Sequence, residues 1–218
     1  LLGLAEIAEE RQDFQSMFGL LQRAVRLDAT LVDPHVKLGK LYLIGSDETT
    51  ALEEAEKALE LDPDNIGARS LKAGVLLKIG DSAGALELAD EVIAEDPANP
   101  EAVTVRVTEY ASNGGWEKAL DELNRALEIN PQVAMLQLLR IHALKTLDRG
   151  EDMRNAYAEL IELFPDQPAY RRVYANELLK ENDYAAAREQ LEAIVDLEPA
   201  NLSAKLDVIR LANAAKGA

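Results

Sequence analysis

The sequence predicts an all-α solenoid of antiparallel helix pairs, and three observations carry that prediction. Proline recurs at Pro63, Pro97, Pro131, Pro165 and Pro199, a spacing of 34 residues held through the whole series. Self-similarity at a fixed period of about 20–50 residues marks a stacked array whose units are too small to bury an apolar face alone. Within each period, small and apolar residues return at three- and four-residue intervals in two stretches separated by turn formers. The apolar share, 48% of the chain, is mostly Ala and Leu, which are strong helix formers, while aromatics are 5%.

One period, 32–65, shows the pattern. His35, Leu38, Gly39 and Tyr42 fall on one helical face, and the missing side chain of Gly39 allows a neighbouring helix close. Gly45-Ser46-Asp47 breaks that helix, and Asp47 is placed to cap the next one. Ala51, Leu52, Ala55, Ala58 and Leu59 then form a second apolar stripe, with Glu53, Glu54, Glu56 and Lys57 outside it and the glutamates expected on a solvated face. Leu61-Asp62-Pro63 ends the second helix, because proline cannot continue one.

The other periods keep this register. Residues 1–31 supply a partial unit with Ala5, Asp13-Phe14, Ala24 and Leu27-Asp28, where Ala29 stands in the proline position. Residues 66–99 carry Ala73, Gly80-Asp81, Ala85, Ala89 and Pro97. Residues 100–133 carry Tyr110, Gly114-Gly115-Trp116, Ala119, Ala126 and Pro131. Val103, Val105 and Val107 alternate as a strand would, but the register on both sides predicts a helix. Residues 134–167 depart most: Arg140-Ile141 replaces the Leu-Gly pair, Leu144 the tyrosine and Met153 a packed alanine. Larger residues in small slots separate helices unless neighbours shrink. Residues 168–201 return to the pattern with Ala175, Asn182-Asp183-Tyr184, Ala187 and Pro199. Residues 202–216 read as a closing helix, with Lys205, Asp207, Arg210 and Asn213 giving it a polar outer face. The phase places Leu1 a few residues inside a first helix, so the chain reads as a fragment of a longer protein.

Leu38-Gly39, Tyr42, Ala51, Ala55, Ala58 and Pro63, with their equivalents downstream, closely resemble the tetratricopeptide repeat (TPR) family over essentially the whole chain. The resemblance implies one domain, 1–218, of about six repeats in a right-handed superhelix. It also implies that the first helix of each pair lines a concave face that holds a protein or peptide. The inward positions are then Lys40, Leu43, Ser70, Leu77, Thr104, Thr108, Leu138, His142, Lys145, Arg172 and Asn176. Glu6, Glu9 and Glu10 make one end of that strip acidic, and His142, Lys145, Arg172 and Arg210 make the other basic. An extended peptide or a partner helix suits such a groove, and the basic end suits an acidic residue or a free carboxylate. Val36 and Leu71 stand where the family's chaperone-tail clamps carry Lys and Asn, which disfavours that ligand.

Composition excludes several classes. The formal charge is −17, from 23 basic and 40 acidic side chains, which argues against nucleic acid or an anionic membrane as partner. Residues 1–99 carry a net of −11 and residues 100–218 a net of −6. With no cysteine and with His35 and His142 far apart, no thiolate or histidine metal cluster is expected. No phosphate loop, zinc-protease motif or nucleophile elbow is present, so neither a catalytic site nor a cofactor is expected, and no apolar run is long enough to span a membrane.

The function expected is a non-catalytic scaffold for protein–protein interaction. The alternatives are the recruiting or regulatory arm of a larger enzyme, and a bacterial envelope lipoprotein in polysaccharide or protein export. A raw amino-terminal repeat face, with Leu1, Leu4 and Phe14 near it, favours self-association. The ungapped Ala-Leu-Glu-rich repeats read as bacterial, and cytoplasm and periplasm both stay open.

Overall fold

The computed structural model of the chain describes residues 1–214, with side chains to residue 212. The last two residues of the expected closing helix, and the side chain of Asn213, lie outside the described residues. Among the described residues there are thirteen α-helices and no strand. The helices are α1 (Leu2–Glu10), α2 (Phe14–Leu27), α3 (Val32–Ile44), α4 (Glu48–Leu61), α5 (Ile66–Ile79), α6 (Ser82–Glu95) and α7 (Pro100–Ser112). They continue as α8 (Trp116–Ile129), α9 (Ala134–Thr146), α10 (Gly150–Leu163), α11 (Pro168–Lys180), α12 (Tyr184–Leu197) and α13 (Leu202–Ala214). From α2 to α12 every even-numbered helix begins 34 residues after the last, and so does every odd-numbered one from α3 to α13.

Local chemistry sets these starts. Asp13, Asp47, Asp81 and Asp183 each accept, through a carboxylate oxygen, the backbone N–H three residues on, at 3.0–3.2 Å. Each capping bond of this kind contributes about 1 kcal/mol. The series lapses at Gly115 and Arg149, which cap nothing with their side chains. A second set of caps starts the odd-numbered helices. Asn65, Asn99 and Asn201 cap α5, α7 and α13, and each donates its amide to the acid that ends the preceding helix, Asp62, Asp96 or Glu198. Proline stands between each acid and its asparagine, so this clasp fixes the bend between consecutive pairs.

The residue before each even-numbered helix's cap has positive φ: Gln12 57°, Ser46 59°, Gly80 89°, Gly114 73°, Asp148 57° and Asn182 61°. Side chains other than glycine pay for that conformation. Gln12→Gly and Ser46→Gly are therefore each expected to raise stability by about 0.5–1 kcal/mol, measured as an upward shift of the urea midpoint with unchanged slope.

The contacts divide the chain into two compact units, Leu1–Leu136 and Gln137–Ala218, with the division inside α9. In the amino-terminal unit, successive helices pack through fully buried alanines, among them Ala51, Ala55, Ala58, Ala73, Ala85 and Ala89. Between α3, α4 and α5 the approach is closest at Gly39, where an added Cβ would lie 2.3 Å from Leu71 Cδ2. The alternating valines are helical as expected. Val103, Val105 and Val107 are all buried because α7 packs on α5, α6 and α8 and has little exposed surface on its sides.

His35 occupies the position where the repeat pattern favours a large residue. Its Nδ1 lies 2.6 Å from Glu54 Oε2 and its Nε2 lies 3.2 Å from the Ala29 carbonyl, within a buried site. This contact ties down the α2–α3 loop, the one whose proline and asparagine are replaced by Ala29 and Leu31.

In the carboxyl-terminal unit, the substituted positions of 134–167 are accommodated. Ile141, Leu144 and Met153 are buried, and Arg140 pairs with Glu159 at 2.5 Å. Tyr157 stacks on Tyr174 with ring centroids 4.6 Å apart. Burial, with Glu177 adding, pushes the Tyr157 hydroxyl up to about 12. The outer side of α13 is less polar than expected, since Leu202, Leu206 and Ile209 are exposed beside Lys205 and Arg210.

Candidate partner-binding face

In the amino-terminal unit, α3, α5 and α7 lie side by side and carry six of the expected inward residues. Lys40 is half-buried and pairs with Glu101 at the start of α7. Between those two helices α5 presents Gly67, Ser70 and Gly74, whose small size leaves the lysine room to cross. Leu43 and Leu77 are half-buried and pack on the cores around Val75 and Ala73 respectively. Ser70 is buried and donates its hydroxyl to the Ile66 carbonyl at 2.7 Å. Thr104 and Thr108 bond the carbonyls of Pro100 and Thr104 in the same way, at 2.7 and 2.8 Å. These hydroxyls are committed to their own helices, so the floor is shallow and less polar than its residue types imply. At the acidic end Glu9 accepts from Lys37 at 2.5 Å, while Glu6, Glu10 and Asp33 are exposed. Val36 and Leu71 are both buried.

The carboxyl-terminal unit holds the rest. Leu138, His142, Lys145 and Asn176 are exposed and Arg172 is half-buried. Two acids organise these cations: Glu177, which sequence reasoning missed, and Asp207, which it assigned to the outer face of the closing helix. Glu177 on α11 lies between Lys145 Nζ at 2.6 Å and Lys180 Nζ at 3.1 Å. Burial pushes its carboxyl up, but the two lysines outweigh that and hold it below the ordinary value of 4.5. Asp207 on α13 lies between Arg172 at 2.6 Å and Arg210 at 3.6 Å. A cavity of about 220 Å³ opens there, lined by Arg172, Asn176, Leu179, Leu191, Asp207, Arg210 and Leu211. Two guanidinium groups against one carboxylate leave this cavity locally cationic. The signal was present in the spacing, because Lys145–Glu177 and Arg172–Asp207 are each about one period apart. Opposite charges one repeat apart on neighbouring first helices meet.

Among the described residues no three acidic or histidine side chains converge as a metal ion would need. No helix among them is long and apolar enough to cross a membrane.

Helical hairpins repeated at a 34-residue period, with the first helices α3, α5 and α7 side by side in the amino-terminal unit, define a class of protein-interaction scaffold. Residues 46–107 match the tetratricopeptide repeat family model, and the fold of the chain is similar to that of solved TPR solenoids. A thermophilic TPR protein of Thermus thermophilus has a similar fold, with a TM-score of 0.59 and 24% identity, over 83% of this chain and 98% of that one. Among curated proteins, DnaJ homolog subfamily C member 3 of Mus musculus is 28% identical over 79% of this chain and 37% of its own length. Protein O-mannosyl-transferase TMTC1 of Homo sapiens is 24% identical over 80% of this chain and 20% of its own length. The chain thus spans well under half the length of these two relatives.

Proposed function

We propose that this chain is a non-catalytic scaffold that receives an extended peptide or a partner helix on the face formed by its first helices. In this reading both units belong to one TPR array over 1–218, with repeats at 1–31, 32–65, 66–99, 100–133, 134–167 and 168–201 and a closing helix after them. The partner is protein and not nucleic acid, consistent with the net charge.

The observation that carries the reading is the Gly67–Ser70–Gly74 floor of α5. Ser70 is fully buried and Gly67 sits against Val36, so the core constrains those two, whereas Gly74 is half-buried and not crowded. An added Cβ at Gly74 would meet only Leu43 Cδ2, at 3.6 Å. A Cβ therefore fits the fold at Gly74, and a longer side chain there would extend over the floor of the face. The cationic cavity at Arg172 and Arg210 supports an acidic residue or chain terminus as the other anchor.

Peptides selected from a displayed library against the intact protein test both halves. Gly74→Leu is expected to weaken selected peptides by about tenfold or more without lowering the thermal melt. Arg172→Glu with Arg210→Glu is expected to do the same for peptides bearing an acidic end. Peptides that bind Gly74→Leu as well as the parent protein would refute the groove reading.

Two further features favour additional roles. Leu1, Leu4 and Ile7 are exposed along one side of α1, which supports self-association through that end. The similarity to a region of a much longer transferase supports the alternative of a recruiting arm attached to an enzyme.

A further inference from the structure

The junction between α2 and α3 carries an apolar opening that the concave face does not use. It has a volume of about 390 Å³ and is lined by Phe14, Gln15, Phe18, Leu41, Ile44 and Gly45. Its back wall is packed on the core. Phe18 and Leu41 pack on the core around Met17, Leu21 and Leu38, and Phe18 meets Tyr42 edge-on at 5.4 Å. Its lips are exposed, with Phe14 54% and Ile44 78% accessible.

The repeat supplies an internal control. One period on, the residues equivalent to Phe14 and Ile44 are Glu48 and Lys78, and after another they are Ser82 and Ser112. The solenoid thus tolerates polar side chains at both lips, and the apolar pair at this junction is not required for packing.

The residues next to the lining in sequence are acidic. Asp13 immediately precedes Phe14 and Asp47 follows Gly45 by two residues. Each carboxylate is fixed next to the lining residues in sequence by capping its helix, Asp13 accepting from Ser16 N–H and Asp47 from Thr50 N–H, both at 3.1 Å. Glu48 follows directly. Arg11 is the base within three residues of either aspartate, and residues 1–136 carry 12 basic against 26 acidic side chains, a net of −14. A partner brought to this opening by charge is therefore cationic.

We propose that the Phe14–Ile44 opening is a second docking site, which takes a bulky apolar side chain from a partner segment that carries lysine or arginine around it. A cavity of this size suits one Trp, Phe or Leu anchor. Such an anchor, desolvated on a packed wall, is the arrangement that concentrates binding energy in few residues. The flanking bases meet Asp13 and Asp47, where they add encounter rate and orientation more than affinity.

The test uses a fluorescein-labelled synthetic peptide with a Trp-Leu pair flanked by lysines, titrated with the intact protein and followed by anisotropy. Saturable binding is expected, weakening as salt is raised. Ile44→Lys and Phe14→Glu install the residues of the next junction, so their melting curves are expected to stay close to the parent's. Each is expected to weaken the peptide by about tenfold or more. Gly74→Leu is expected to leave this binding unchanged, which separates the site from the concave groove. Several results would overturn the proposal. These are equal binding by Ile44→Lys, equal binding of a peptide with glutamates in place of the lysines, and no saturation up to about 1 mM. Dissolution of a self-associated form by Ile44→Lys in sedimentation would also overturn it, by assigning the opening to a second copy of the chain.

Discussion

Replacing Gly39 by leucine is expected to destabilise the amino-terminal unit by about 3 kcal/mol. The added Cβ alone would stand 2.3 Å from Leu71 Cδ2 and 3.3 Å from the Ala51 carbonyl oxygen. Leu71 is 1% exposed, so its side chain has no free volume to move into. Gly39→Ala isolates the steric cost, because alanine improves on glycine in a helix by about 1 kcal/mol and would stabilise an uncrowded site. Urea unfolding followed by far-UV circular dichroism gives the number. A solenoid's repeats are coupled only to their neighbours, so the loss is expected first as a broadened transition. Leu71→Ala in the Gly39→Leu background is expected to cost less than Leu71→Ala alone, since each substitution relieves the other. Additive costs would refute the crowding account.

Removing the buried acid of the His35–Glu54 pair is expected to have the next largest effect, about 2–3 kcal/mol for Glu54→Ala. Glu54 is buried beside His35 and also accepts from Lys57 at 2.8 Å. Its loss leaves the imidazole without its buried partner and loosens the α2–α3 loop held at Ala29. The same residue gives a pH signature. Burial pushes the Glu54 carboxyl up, but hydrogen bonds from Lys57 and His35 outweigh it and hold the carboxyl below its ordinary value of 4.5. A depressed carboxyl contributes stability that is fully present above its unfolded value and is lost as pH falls through the folded value. The unit's stability is therefore expected to drop as pH is lowered below about 4.5, with Glu177 acting in the same direction in the carboxyl-terminal unit. In Glu54→Gln that acid-side loss is expected to be shallower. An identical slope in parent and variant would show that Glu54 does not titrate differently on folding.

Helix boundaries were legible because they are local. Proline ends a helix, aspartate caps the next, and both recur at a period that chance does not sustain. The cap series could be extended by eye from Asp47 to Asp13, Asp81 and Asp183. The left-handed residues at Gln12, Ser46 and Asp148 could not. Gly80, Gly114 and Asn182 suit that conformation by residue type, and at Gln12 and Ser46 the geometry of the hairpin imposes it on side chains that do not prefer it. The face positions were legible as positions, but their chemistry was not. Ser70, Thr104 and Thr108 read as a small, shallow stretch of the strip, and only the structure shows their hydroxyls bonding their own helices, while Lys145 and Arg172 read as available cations and instead hold Glu177 and Asp207.

By itself the sequence determined the repeat, its 34-residue period, the helix pairs and the residues that share a face. Each of these follows from helical periodicity and from caps that act within a few residues. Tertiary structure decided which charges are neutralised, which hydroxyls are committed and where an apolar wall is left uncovered. Those outcomes depend on side chains about 30 residues apart reaching a common point, as Arg172 and Asp207 do, and on Gly39 admitting Leu71. The Phe14–Ile44 opening belongs to the same category. Phe14 and Ile44 are ordinary residues on separate helices, and only the packing of α2 against α3 makes them the two lips of one cavity.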